Sequence, residues 1–261
     1  MRSLSIGATG MMAQQLAVEV ISNNIANMAT TGYKRQRAEF QDLLYQNMIR
    51  PGSRSSDTGT IVPSGIQLGA GVKTAAVYRI NEQGDIKITD NKLDLAISGT
   101  GYFQVEMPSG ETAYTRSGSF QLSPDGQIVT GDGFTVLPGI TAPSGALDIN
   151  INDSGEVLIK IDGQTEPANV GQFELVVFAN EAGLEAVGDS LFMETPASGT
   201  PVSGVPSSTG YGNLIQGALE TSNVDIVSEI TTLITAQRAY EMNSKVIKAS
   251  DEMMSTISQF R

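Results

Sequence analysis

Five aspartates and one asparagine run are the parts of this 261-residue chain that come nearest to chemistry. Asp125, Asp132, Asp148, Asp153 and Asp162 could supply the paired carboxylates that cleave a glycosidic bond. Asn150-x-Asn152-x-Ser154-Gly155 imitates the opening of a calcium loop, but the twelfth loop position, where a bidentate acid belongs, is Ile161. The aspartates lie in or beside turns, where Asp closes local backbone hydrogen bonds. Gly69-Ala-Gly71 and Gly99-Thr-Gly101 resemble pieces of phosphate loops. Neither completes Gly-x-Gly-x-x-Gly or sits between a strand and a helix, so both read as turns. The chain has no His, Cys or Trp. A Ser-His-Asp triad, a Cys-His pair and an ordinary zinc site are therefore impossible, and there is no disulfide to form. Of catalytic classes, only a two-carboxylate enzyme acting on peptidoglycan stays open. No cofactor or metal is expected.

The charge is uneven. Residues 1–54 carry a net +3, residues 55–220 a net −14 and residues 221–261 a net −1, within a total of −12. An acidic middle argues against nucleic acid as a partner and reads as a solvated surface. No run approaches the roughly 18–20 apolar residues of a spanning helix. Thr9, Gly10, Gln14 and Gln15 interrupt the apolar start, and no small-residue cleavage site follows. The expectation is a chain exported, if at all, without a cleaved signal peptide.

The elements that would position any site are two terminal helices. An apolar column at seven-residue spacing, Leu4, Met11, Val18 and Ile25, predicts a helix from about Ser3 to Ala29, stopped at Gly32. Ile21 and Met28 widen its stripe. A second column, Ile226, Leu233, Tyr240, Ile247 and Met254, predicts a helix from about Thr221 toward Phe260, with Ser222 as cap and Asp225 near its positive end. Ile230 lies in the stretch from Ile226 to Gln237, whose one charge is Glu229. From Ser3 to Tyr33 the one charge is Glu19. The other faces show Gln14, Gln15, Ser22, Asn23, Asn24 and Asn27, neutral groups that cost little to cover when partners exist. A lone surface helix presents a charged face to water. These helices predict covering on several sides, by each other and by copies of themselves, against the plainer arrangement of one intramolecular pair on a β body. A membrane-surface helix would want Lys or Arg on its polar face.

Between the helices, a basic cluster (Tyr33-Lys-Arg-Gln-Arg37) precedes a short helix expected from about Ala38 to Ile49, stopped by Pro51-Gly52. Residues 50–71 are turn-rich, yet hold Ile61, Val62, Ile66 and Leu68. Period-two alternation begins at Val72 and runs to Ile80. Short strands then recur between turn signals: 86–88, 93–97, 102–105, 113–116, 119–122, 155–163 and 173–178. The fold class is α+β: terminal helices pairing as a coiled-coil-like domain, with a mainly antiparallel β domain inserted between them.

Ser22-Asn-Asn-Ile-Ala-Asn-Met-Ala-Thr-Thr-Gly-Tyr-Lys34 resembles the N-terminal signature of bacterial flagellar rod and hook proteins. Leu219-Glu-Thr-Ser-Asn-Val-Asp225 with Ala236-Gln-Arg-Ala-Tyr-Glu-Met-Asn-Ser-Lys245 resembles that family's C-terminal signature. Leu95-Ala-Ile-Ser-Gly-Thr-Gly-Tyr-Phe103 and Tyr114-Thr-Arg-Ser-Gly-Ser-Phe120 resemble its central β region. Length and the Arg50–Gly71 stretch point to the distal rod branch, with a proximal rod or hook subunit as the alternative. Two departures are Ala29, where many relatives carry Asn, and an end at Phe260-Arg261 rather than an apolar residue.

The resemblance implies a non-enzymatic subunit that travels unfolded through the flagellar export channel and polymerises into a straight, stiff, hollow tube crossing the periplasm. It implies a tube-core domain of residues 1–30 and 222–261, a connecting region of 31–95 and 205–221, and an outer β domain of 96–204. Subunit packing would fall to Leu4, Met11, Val18, Ile21, Asn23, Asn24, Ile25, Asn27, Met28, Ile226, Ile230, Leu233, Tyr240, Ile247 and Met254. Stiffening would fall to Pro51, Gly52, Ile61, Pro63, Ile66 and Leu68, as a wedge between neighbours. Implied partners are other copies, proximal rod and hook proteins, the periplasmic and outer-membrane rings, and the export apparatus. The acidic middle is expected to face those rings.

Overall fold

The computed structural model describes residues 2–52, 64–143, 146–161 and 167–259. It is an α+β protein in which helices α1 (Arg2–Ala26) and α2 (Ile226–Gln259) bracket a series of short antiparallel strands. The described residues form two compact units. One draws on 1–25, 36–78 and 225–261, the other on 26–35 and 79–224.

In the first unit α1 and α2 lie antiparallel. Gly7 stands opposite Ile247, Gly10 opposite Asn243, and Asn24 opposite Glu229. Small residues make this approach possible. A β-carbon on Gly7 would lie 2.9 Å from Ile247 Cγ1, and one on Gly10 2.8 Å from Asn243 Nδ2, with Ala13 and Ala236 buried in the same seam. α1 ends three residues before its predicted limit. The chain turns at Asn27, whose carbonyl accepts from the Thr30 N–H at 3.1 Å. Gly32 (φ 66°) then takes the left-handed conformation that other residues avoid. α2 begins later than predicted, and its cap is Asp225 rather than Ser222. Asp225 Oδ1 accepts from Val227 N at 3.0 Å, whereas the Ser222 hydroxyl serves Val224 N in the preceding turn.

The helix expected over Ala38–Ile49 is absent. In its place are two strands, Gln36–Asp42 and Tyr45–Ile49, paired with Val72–Arg79 and Ile66–Gly69 respectively. Gln36, Ala38 and Phe40 are half-buried while Arg37 and Glu39 are exposed, a period of two. The partner strand decides the conformation here over the helix propensity of the segment. In the hairpin Tyr45 faces Gly69 and Gln46 faces Leu68, with a bulge between Asn47 and Ile49.

The second unit holds the hydrophobic core. Its largest sheet has nine strands. Because neighbouring residues of a strand point to opposite faces, Tyr102 and Phe103 serve different clusters. Phe103 packs edge-on against Phe120, centroids 5.0 Å apart, in a core with Leu95, Ile97, Val157, Phe173 and Leu214. Tyr102 packs with Tyr114, Val176, Phe178, Leu184 and Phe192. The expected strands are present at 86–88, 95–98, 102–106, 112–115, 120–122, 156–161 and 175–177. Nine further strands were not expected, among them Val202–Gly204, Asn213–Gln216 and Ala218–Glu220 on the way back to α2.

Candidate assembly surface and the buried ion cluster

The first unit is nearly all surface. Among the described residues, eighteen of the twenty-five exposed large apolar side chains belong to it, but only four of the twenty-nine buried apolar residues of any size. Its buried members, Ala13, Val20, Ile21 and Ala236, define the seam between the helices. The seam on α2 includes Glu229, Leu233, Ala236, Ile247 and Ser250. Glu229 and Ser250 are polar and were missed by a search for apolar columns. Of the residues expected to pack between subunits, Ile21 and Asn24 are buried. Leu4, Met11, Val18, Ile25, Asn27, Leu233 and Ile247 are half-buried, and Asn23, Met28, Ile226, Ile230, Tyr240 and Met254 are exposed. Val227, Ile234, Met242, Val246 and Met253 are exposed too, so α2 presents apolar groups on more than one side.

The polar groups on that surface are largely self-satisfied. Thr231, Thr232 and Thr235 donate their hydroxyls to the carbonyls of Val227, Ser228 and Thr231, at 2.8, 2.8 and 2.9 Å. A hydroxyl bonded back to its own helix loses little when another surface covers it. Asn24 is used inside the unit. Its Oδ1 accepts from Gln36 N and its Nδ2 donates to Gln36 O, both at 2.8 Å, and Nδ2 also reaches Glu229 Oε2 at 3.3 Å. The amide thus pairs with a strand as another strand would.

Of the expected stiffening residues, Pro51 and Gly52 form an exposed turn, and Ile66 and Leu68 are exposed on the hairpin. Ile61 and Pro63 lie outside the described residues. Leu44, beside the hairpin, and Tyr45 and Met48 within it are exposed as well.

In the second unit the signature segments converge on a buried ion cluster that sequence reasoning did not single out. Lys34 Nζ lies 2.6 Å from Glu220 Oε1 and also donates to Glu82 O at 2.8 Å. Gly84 N donates to the same carboxylate oxygen at 2.9 Å. Glu220 Oε2 has no hydrogen bond, and its compensation is the Arg116 guanidinium, with Nε at 3.4 Å. Arg116 in turn donates to the carbonyls of Gly99 and Gly101 at 2.8–2.9 Å and stacks over the Tyr102 ring. Burial holds the Lys34 ammonium below its ordinary lysine value, against the opposing pull of Glu220. Burial also pushes the Tyr102 phenol up, helped by Glu181, to which its hydroxyl donates at 3.1 Å. Asn223 completes the join. Its Oδ1 accepts from Arg35 N at 2.7 Å and its Nδ2 donates to the carbonyls of Ile80 and Glu82. The available sequence signal was that Lys34 is the one charge in the Ser22–Lys34 segment, and that Glu220 is one of two, with Asp225, in Leu219–Asp225.

The Asn150–Gly155 run serves a hairpin turn. Asn152 Oδ1 accepts from Glu156 N at 2.9 Å and from the Ser154 hydroxyl at 2.8 Å. Among the described residues no helix is long and apolar enough to cross a membrane.

Residues 4–34 match the family described as flagella basal body rod protein. Residues 96–159 match the flagellar hook protein FlgE/F/G D1 domain. Residues 215–260 match the flagellar basal body rod FlgEFG protein C-terminal region. The chain is 60% identical over 261 residues to the flagellar basal-body rod protein FlgG of Caulobacter vibrioides, covering all of both chains. It is 54% identical to that of Agrobacterium fabrum over 99% of each chain, and 40% identical to that of Bacillus subtilis over 97% of each.

Proposed function

The chain belongs to the FlgG-type flagellar basal-body rod proteins, structural and non-enzymatic subunits of the distal rod, and from that premise we propose that it polymerises through its paired terminal helices into a straight, hollow drive shaft. The observation that carries this reading is the placement of apolar surface. The unit containing both helices has most of the exposed large apolar side chains and few of the buried ones. Such a surface needs covering, and copies of the same unit are the partner of matching chemistry. Repetition of one heterologous contact builds an open helical tube.

In this reading residues 1–30 and 222–261 form the tube core, 31–95 and 205–221 connect, and 96–204 form the outer β domain. The exposed hairpin that carries Tyr45, Met48, Ile66 and Leu68 wedges between neighbours and stiffens the tube. The tube crosses the periplasm, joins the proximal rod to the hook and turns within the periplasmic and outer-membrane rings. The subunit reaches its place unfolded through the flagellar export channel, a route that suits a chain with no disulfide to form.

Basal bodies isolated from cells lacking this chain test the reading. The expected structures stop before the distal rod and carry no hook. Complete, hook-bearing basal bodies would overturn it.

A further inference from the structure

The Ala236-Gln-Arg-Ala-Tyr-Glu241 run supplies two complementary surfaces. Gln237, Tyr240 and Glu241 line a groove of about 490 Å³ together with Gln15, Val18 and Glu19 of α1. Glu19, the one charge between Ser3 and Tyr33, therefore stands in the wall of this groove, where Gln15 Nε2 donates to its Oε1 at 3.1 Å. Two carboxylates, a phenol ring and two amides suit a planar cation, which can stack on the ring and bond the acids.

Arg238 follows Gln237 and is turned about 100° from it around the helix. It is exposed, and no hydrogen bond or ion pair joins it to another described residue. The intramolecular choices within its own helix, Glu241 to Arg238 or to Lys245, are not made as ion pairs among the described residues. Of the basic cluster after α1, Lys34 is buried against Glu220 and Arg37 is paired with Glu39, so those two charges are already engaged. Arg238 also shares its stripe of α2 with exposed Val227 and Ile234, which match the apolar part of the groove, Val18 and Tyr240.

The geometry points to a contact between two copies of this chain in which Arg238 of one enters the Glu19–Tyr240–Glu241 groove of the next. The inference rests on the reading of the chain as a self-assembling rod subunit and adds where the charge-bearing contact lies. Within the rod reading one copy gives the contact and the next receives it, so it is heterologous and extends from copy to copy.

The native chain has no cysteine, so introduced thiols can be bridged selectively. A Glu19→Cys/Arg238→Cys variant is incorporated into basal bodies in cells, and the isolated basal bodies are treated with a short bis-maleimide, which spans the gap left by two long side chains. The expected product is a ladder of dimers, trimers and longer species, absent from either single-cysteine variant. Basal bodies that contain the variant but yield only monomer, bridged internally or not, overturn this contact and leave the rod reading standing. A native chain missing from basal bodies overturns the rod reading instead. If the double-cysteine chain is not incorporated, charge exchange decides. Arg238→Glu is expected to reduce incorporation about tenfold or more, and adding Glu19→Arg to restore most of it. Absence of that rescue overturns the contact.

Discussion

Lys34 Nζ and Glu220 Oε1 stand 2.6 Å apart, each side chain 1% exposed, although 186 positions separate them in the chain. This pair ties the segment leaving α1 to the strand that leads toward α2. Gly32 N donates to the Glu220 carbonyl at 2.9 Å in the same join. Both signature segments therefore hold each other as well as any neighbour.

Lys34→Met should destabilise the second unit by about 3–5 kcal/mol, because Glu220 keeps a buried charge with only part of its compensation. Urea unfolding of the full chain measures it. A loss within the roughly 0.5 kcal/mol typical of surface substitutions would mean that the cluster relaxes or hydrates freely.

The stability of the second unit should fall as pH rises above 10. The Tyr102 phenol is held above its ordinary value of 10.0 in the folded state, so the unfolded chain loses that proton first and is favoured. Below pH 10 both states keep the proton and the residue contributes no slope. Lys34 acts with the opposite sign, since its folded value is depressed: stability rises with pH up to its ordinary value of 10.5. The Tyr102 contribution is therefore read as the difference in alkaline slope between the native chain and Tyr102→Phe. Equal slopes would contradict it.

Ile230→Asp should block polymerisation while leaving the β core folded, since Ile230 is 44% exposed in the single chain. Ile25→Asp should do the same with an added cost to the helix pair, because Ile25 is half-buried there. Circular dichroism reports the fold and electron microscopy the polymer. Filaments at normal yield would defeat the helix-packing reading.

Deleting residues 50–71 removes the second strand of the exposed hairpin, Ile66–Gly69, along with the Pro51-Gly52 turn. The tube that forms should bend like a hook. Straight rods from the deleted chain, seen in isolated basal bodies, would refute the wedge.

Reversing Asp125, Asp148 and Asp153 to Lys should raise drag or impair swimming if the acidic body turns within the rings. Asp148 is engaged by Lys92 at 2.6 Å on the surface, so its reversal also frees one cation. Rotation speed of tethered cells measures the effect, and normal speed would count against that orientation.

Local pattern was enough for the two helices, their charge-poor stretches and seven of the sixteen strands described from Ile86 to Glu220, because seven-residue and two-residue periods report burial within a few residues of chain. It failed at Ala38–Ile49. There the helix-like composition yields to pairing with Val72–Arg79 and Ile66–Gly69, partners that no short window contains. It also misplaced the α2 cap by three residues, since Ser222 and Asp225 are both good caps and the turn before α2 selects between them.

What the sequence by itself determined is the need for partners: two helices poor in charge where they are richest in apolar residues, a chain without His or Cys, and an acidic β body between them. The tertiary structure alone decided which groups meet. Gly7 and Gly10 let α2 approach, Asn24 clasps Gln36, and Lys34, Glu220 and Arg116 share one buried site. Periodicity records how far a residue is buried. It carries no record of which distant residue shares the burial, because loop closure grows only slowly costlier with length and many pairings are open to the chain.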